Sequence, residues 1–370
     1  MNNVGILTFH CADNYGALLQ AYGLKCYLEK QGTGGEIVCY EPFFMTGRHW
    51  WIPYVPIGNI VRRLGWSLYG WRANVKKGTL FFQKRANMKK FRKRYLIKKG
   101  QRKLYFTYQL RRLPYEYYIV GSDQIWNPDI TCGLKKAYFG AFYNRNKRKV
   151  IAYGASLGRA SLSEEYDKEF SELLTYVDAV SVREKSAITY IKQFYTGEIL
   201  EVPDPVFLLE KKEWQRIEKL PEQEGYIVVC AVEKNRKLYD YAKDLAKSRG
   251  LSIIEITSGT EIAEESIGMD YTAGPSEVLG YIHKADYIIT SSFHMIAFSI
   301  IYQKKFAAFQ YNHAGERISN ILRDYGMEDR LYQENREMRI DDEIDWSRVE
   351  EQIKKNVSLA KDFLWKHVGC

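Results

Sequence analysis

Residues 285–310 read ADYIITSSFHMIAFSIIYQKKFAAFQ. The apolar run YIIT has strand length; after a serine pair, HMIAFSIIYQ continues as an apolar helix, and KFAAFQ opens a further strand. Upstream the same rhythm runs through YIVVCAV, KLYDYAKDLAKSRG, LSIIEIT and SEVLGYIHKA, and downstream ERISNILRDYG adds another helix. Nearer the start, VGILTF precedes a helix in which Leu18, Tyr22 and Cys26 recur every four residues. EIVCYEP, YYIVGSD, KVIAYGAS, DAVSVRE and EILEVPDP follow as short apolar strands, with helical stretches such as SEEYDKEFSELLTYV and SAITYIKQFY among them. Strands alternating with helices imply an α/β chain built on parallel sheets.

A chain of 370 residues suits two domains. Proline, charge and a break in periodicity coincide near Asp204 to Glu224. The expected division is an N-terminal α/β domain over 1–205, a second α/β domain over 206–335 and a helical segment over 336–370 that packs back. Two open parallel-sheet, Rossmann-like domains facing a cleft resemble the GT-B arrangement. With 46% hydrophobic residues and no low-complexity tract, the chain reads as globular throughout. Its six cysteines lack CxxC or HxxxH spacing, and no cleavable apolar segment with a basic lead follows Met1. A reducing cytoplasm is therefore expected. Cys11 beside His10 has the residue types of a nucleophilic pair, although a small buried thiol is the commoner explanation.

The net charge of +10 is uneven: residues 43–115 hold 19 Lys and Arg and no Asp or Glu, leaving 36 basic against 45 acidic residues elsewhere. This segment, an insertion in the first domain, also carries Trp50, Trp51, Trp66 and Trp71. Within IGNIVRRLGWSLYGW, Ile57, Ile60, Val61, Leu64, Leu68 and Trp71 fall on one helical face with Arg62 and Arg63 off it. That pattern suits a helix lying in an anionic membrane interface, and paired arginines with three glycines argue against a span. A solvated insertion packing on its parent domain is the plainer alternative. Nucleic acid is the third, without a recognisable binding motif, and is not the expected partner.

Ligands of open α/β sheets bind outside the carboxyl ends of strands, which directs attention to the residues after each apolar run. After the first strand, HCADNYG holds His10, Asn14, Tyr15 and Gly16. Asn14 can cap the next helix, whose free amides attract a phosphate or carboxylate; a plain structural cap is equally consistent. Asp123 ends another strand and either meets a hydroxyl-bearing acceptor or caps a turn. Arg183 either forks onto an anion or pairs with Glu184 or another neighbouring acid. His294 lies at a strand end and opens a helix, where it is either a functional imidazole beside a bound anion or a structural residue of the apolar helix.

Taken together, TFHCADNYGALLQAY, YIVGSDQIWNP, AYGAS, SVREKS, VPDPVFLL, ADYIITSSFHMIAFSIIYQKKF and ERISNILRDYG resemble the polysaccharide pyruvyl transferase family, in that family's order. The resemblance implies a transferase moving the enolpyruvyl group of phosphoenolpyruvate onto a hexose, commonly galactose-like, as a cyclic ketal. It implies no metal and no nicotinamide, with phosphoenolpyruvate as donor substrate. It maps Arg183 to the donor-binding position and His294 to the general acid. Where the family pattern reads like SRLH, this chain has SSFH, so Ser292 lacks a cation that Arg317 in GERIS would have to supply. The expected contacts to substrate are thus His10, Asn14, Tyr15, Gly16, Asp123, Arg183, Ser292, Phe293 and Arg317. With the basic segment, the expected acceptor is a polyprenyl-diphosphate-linked capsular or exopolysaccharide oligosaccharide at the cytoplasmic face of the membrane. The alternatives are a GT-B-like glycosyltransferase using a nucleotide sugar and a noncatalytic carbohydrate- or lipid-binding protein.

Overall fold

The strands form two sheets in which each runs the same way as its neighbours. The first sheet has the order β2-β1-β3-β4-β5-β6, all parallel, from β1 (Asn3–Leu7), β2 (Gly34–Ile37), β3 (Tyr117–Asp123), β4 (Lys149–Ala155), β5 (Ala179–Val182) and β6 (Ile199–Glu201). The second has the order β11-β10-β7-β8-β9, also parallel, from β7 (Tyr226–Cys230), β8 (Ser252–Glu255), β9 (Gly268–Met269), β10 (Tyr287–Thr290) and β11 (Lys305–Ala308). Central strands such as β5 and β7 are buried at every residue, which is why they read as unbroken apolar runs. The computed structural model describes residues 3–52, 60–142, 148–256, 268–310 and 315–369.

The helices of eight or more residues are α1 (Tyr15–Lys30), α2 (Ile60–Lys77), α3 (Thr79–Phe91), α4 (Asp167–Leu174), α5 (Arg236–Arg249), α6 (Pro275–Lys284), α7 (Phe293–Ile301), α8 (Gly315–Asp324) and α9 (Trp346–Val368). Side-chain caps set several starts: Asn14 Oδ1 accepts from the Ala17 amide at 3.1 Å, and Asn235 Oδ1 from Leu238 at 3.2 Å. Gly250 ends α5 in the left-handed conformation at φ 66°, where a side chain would be strained. β2 stops at Ile37, short of the apolar run that continues to Tyr40, and beyond it Tyr40 makes an isolated parallel bridge to Leu104. β9 is two residues long and has no apolar run to announce it.

The chain divides into two units. The first comprises Met1–Arg72, Arg92–Leu209 and Lys355–Cys370, and the second Ala73–Phe91 and Glu210–Lys354. In the first, Trp126 stacks on Phe139 at 5.1 Å, with Phe170 edge-on to both, inside a core of strand residues from β1, β3, β4 and β5. In the second, Leu238 and Ala242 of α5 cover Ile227, Val229 and Ile289.

The basic segment is shared by the two units rather than confined to the first. Ala73–Phe91 belongs to the second because Lys77 and Lys84 hold their ammonium groups 4.8 and 4.7 Å over the Tyr271 ring and Asn87 donates to the Thr272 carbonyl at 2.8 Å. The last part of α9 joins the first unit, where Leu364 and Val368 are buried and Lys366 lies 3.3 Å from Glu198.

Candidate functional site

A parallel sheet opens a crevice where successive crossovers leave in opposite directions. In the first unit β1 lies between β2 and β3, so this reversal falls between β1 and β3. In the second, β7 lies between β8 and β10, and the reversal falls between β7 and β10. The residues after β1, β3 and β10 are those that strand-end reasoning selects: His10 to Gly16, Asp123, and Ser292 to His294.

At the first reversal, Thr8 Oγ1 donates to the Ser122 carbonyl at 3.2 Å and itself accepts from Gln20 Nε2 at 2.8 Å, tying the ends of β1 and β3 together. Asn14 is exposed at the cap of α1, whereas the Tyr15 and Gly16 positions behind it are buried. Asp13 pairs with Arg92 at 2.6 Å, and Arg92 also approaches the carbonyls of Cys11 and Ala12. One arginine of the basic segment thereby holds the loop that carries the cap. Nothing in a run of 19 like charges distinguishes Arg92 by sequence. His10 is wholly buried beneath this loop, and Cys11 is buried beside it with its thiol pushed up to about 12 by burial, so the Cys11 sulfur is a poor nucleophile.

Arg183 follows β5 and is almost fully buried. Its guanidinium donates to Asp204 at 2.8 Å and lies 3.4 Å from Glu184 and 4.0 Å from Asp123. Burial works against its charge, but Glu184, Asp204 and Asp123 more than offset this and raise its pKa. Glu184 also accepts from Ser156 at 2.7 Å, and Asp204 caps Val206 at 3.1 Å. The ends of β3, β4, β5 and β6 are thus joined by one ionic network, and the guanidinium is engaged by carboxylates of the protein itself. Asp123 accepts from the amide of Gln124 at 2.8 Å and remains partly exposed.

At the second reversal, Thr290 Oγ1 donates to Cys230 O at 2.7 Å and Ser291 Oγ accepts from the Val232 amide at 2.9 Å, locking the ends of β7 and β10. Ser292 is the cap residue of α7, its amide donating to Thr290 Oγ1 at 2.9 Å and its own side chain making no cap bond. His294 is therefore the second helical residue, half-buried, with its ring 5.3 Å from the Phe293 ring. Arg317, from the first turn of α8, lays its guanidinium 5.3 Å over the same Phe293 ring. A cation, an imidazole and a cap serine whose hydroxyl makes no cap bond are thus assembled on two helices of one unit. A separate cavity of about 560 Å³, lined by Lys243, Ser252, Asp270 and Tyr281, belongs to the β8 and β9 side of this sheet rather than to the reversal.

Of the residues singled out by sequence, Ser292, Phe293, His294 and Arg317 come together, and Asp123 and Arg183 meet at a second place. Glu184, already named beside Arg183, and Asp204 complete the second of these, while Arg92 holds the loop before α1 through Asp13. Asp204 and Arg92 carry a weak signal in the sequence because each acts through a partner from a distant part of the chain.

No curated protein matches the chain. Among solved structures it is similar to UDP-GlcNAc 2-epimerase from Neisseria meningitidis bound to UDP-GlcNAc, at 9% identity over 98% of this chain and 93% of that one, with a TM-score of 0.47. It is also similar to UDP-N-acetylglucosamine 2-epimerase from Rickettsia bellii, at 13% identity over 100% and 99% of the two chains, with a TM-score of 0.46. A family model described as polysaccharide pyruvyl transferase matches residues 14–313, from the cap of α1 to beyond β11, and the chain belongs to that family.

Proposed function

We propose that this transferase moves the enolpyruvyl group of phosphoenolpyruvate onto two hydroxyls of a galactose-like hexose in a polyprenyl-diphosphate-linked capsular or exopolysaccharide intermediate. The observation that carries the reading is the grouping of His294, Ser292 and Arg317 about Phe293 at the strand reversal of the second unit. His294, as imidazolium, protonates the methylene carbon of the enol phosphate, leaving a cation at the carbon that bears oxygen. One sugar hydroxyl adds there, phosphate leaves, and the second hydroxyl closes the ketal. The two hydroxyl protons offset the one taken from His294 and the one carried off by phosphate. Proton donation of this kind contributes about 100- to 10,000-fold.

Arg317 supplies the positive charge that Ser292 lacks, facing the donor's carboxylate or phosphate, while Ser292 and Phe293 shape its seat. Asp123 receives an acceptor hydroxyl, and Arg183 acts as a positioning residue that holds Asp123 and the adjoining strand ends. The cap of α1, Asn14 to Gly16, offers backbone amides to an anionic group of the substrate.

The same reading places the protein at the cytoplasmic face of the membrane. Leu64, Leu68, Trp71 and Val75 of α2 recur at helical spacing and are exposed, Leu64 at 66%, among basic neighbours. Ile57, expected on that face, lies outside the described residues, and so do the side chains of Ile60 and Val61. No helix among the described residues is long and apolar enough to cross a membrane.

The deciding experiment is mass spectrometry of a lipid-linked oligosaccharide incubated with phosphoenolpyruvate. The expected product has gained a pyruvate ketal, with one phosphate released per ketal, and His294→Ala abolishes both while the protein stays folded. Transfer from a UDP-sugar with no use of phosphoenolpyruvate would overturn the reading. Sedimentation with anionic vesicles is expected for the wild type and not after Leu64, Leu68 and Trp71 are replaced by serine.

A further inference from the structure

Behind the loop that follows β1 lies a group of side chains to which the proposed transfer assigns no role. The His10 ring is fully buried, and its Nδ1 lies 3.2 Å from the Thr8 carbonyl oxygen. A carbonyl can only accept, so Nδ1 carries the proton and the lone pair sits on Nε2. Nε2 is buried and has no hydrogen-bond partner among the described residues. Burial lowers the ring's pKa to about 4, which keeps this lone pair unprotonated near neutrality. Beyond β2 the chain runs on through Val38 to Glu41, and alternation sends Cys39 and Glu41 to one side of it. The Cys39 sulfur lies 3.5 Å from Glu41 Oε1, while Glu41 Oε2 accepts from Lys103 at 2.6 Å. One ligand atom each from His10, Cys39 and Glu41 lies within 4.8 Å of the others.

We propose that His10, Cys39 and Glu41 form a binding site for a borderline divalent cation, with Zn²⁺ the best match, in the first unit. A thiol donating to a carboxylate accounts for Cys39 and Glu41 but leaves the imidazole lone pair with nothing to accept. A cation satisfies all three. Imidazole nitrogen, thiolate and carboxylate are the donors zinc prefers, and the backbone carbonyl on Nδ1 is the outer partner that fixes a ligating histidine. Tetrahedral zinc with bonds of about 2.0–2.3 Å sets its ligand atoms roughly 3.3–3.8 Å apart. The Cys39–Glu41 separation already falls there, and the imidazole, within 4.8 Å of both, has to close the remaining gap. Thiolate and carboxylate together neutralise the ion's two charges, and three protein ligands leave one coordination position open. Because burial, and then Glu41, hold the Cys39 thiol up at about 12, binding displaces that proton to solvent, and affinity rises with pH. Of the nearby cations, Arg92 is engaged by Asp13, whereas Lys103 competes for Glu41.

The test uses the full chain, stripped with a chelator and titrated with Zn²⁺ or Co²⁺ alone. One equivalent is expected to bind, with about one proton released and, for cobalt, a thiolate-to-metal charge-transfer band. Cys39→Ser should abolish the band, and His10→Gln should weaken binding by tenfold or more. Lys103→Met, at a half-exposed side chain where folding is not at risk, should tighten binding by freeing Glu41. Absence of stoichiometric binding by the wild type overturns the proposal. So does a cobalt spectrum without the thiolate band, or a Lys103→Met variant whose affinity does not rise. These three readings stand even where the buried substitutions prevent folding.

Discussion

Arg317 and Ser292 bear on the same missing charge. If Arg317 supplies it, Arg317→Ala raises KM for phosphoenolpyruvate by about tenfold to a hundredfold, the worth of a charged hydrogen bond. Arg317→Lys does not recover it, because an ammonium cannot reproduce a planar guanidinium lying over the Phe293 ring. Ser292→Arg in the Arg317→Ala background is expected to restore much of the loss, and steady-state kinetics of the three variants check this. At Arg183 the outcome is one of folding. Arg183→Ala leaves Glu184, Asp204 and Asp123 without their counter-ion and should cost about 3–5 kcal/mol, seen as a lower melting temperature. The place of Arg183 after a strand was legible in DAVSVRE, and Glu184 was visible beside it. Asp123 and Asp204 were not legible as partners, since they arrive from β3 and from beyond β6.

Helix by helix, α2, α3 and α6 show how packing overrides composition. Lys77 and Lys84 belong to a segment that reads as solvated, yet both ammonium groups lie over Tyr271. Burial lowers the Lys77 pKa from 10.5 to about 8. The unfolded chain then binds more protons between pH 8 and 10.5, so stability rises with pH across that window and the cost of the buried charge is fully present below it. Lys77→Met should therefore stabilise the protein at pH 7 by about 1–2 kcal/mol after allowance for partial solvation and the lost ring contact, and the gain should fade as pH approaches 10.5. Melting temperatures of both proteins across that range measure it. In α6, a Cβ on Gly280 would stand 1.9 Å from the Lys219 carbonyl, so Gly280→Ala forces a backbone shift and should lose about 1–3 kcal/mol in chemical denaturation. The helix itself was plain in SEVLGYIHKA. The close approach that requires glycine comes from a loop far away in the chain.

Across the whole molecule, 19 basic residues in one segment stand against a remainder with 36 basic and 45 acidic residues. Attraction to anionic vesicles should accordingly fall steeply between low and physiological salt, as the screening length contracts to about 8 Å, while melting temperature stays nearly constant. Binding insensitive to salt would point to the apolar face of α2 alone. The sequence by itself determined the two parallel α/β sheets, because strands buried on both faces are written as short apolar runs separated by helices. It also placed His294 at a strand end and identified the family. Only the tertiary structure decided which strand ends are neighbours. It thereby brought Arg317 to Phe293, set Arg183 among three carboxylates, placed Cys39 and Glu41 beside His10, and divided the basic segment between two units. Local periodicity records which face of an element is buried, whereas strand order and crossover direction, on which every one of these meetings depends, leave no periodic trace in the chain.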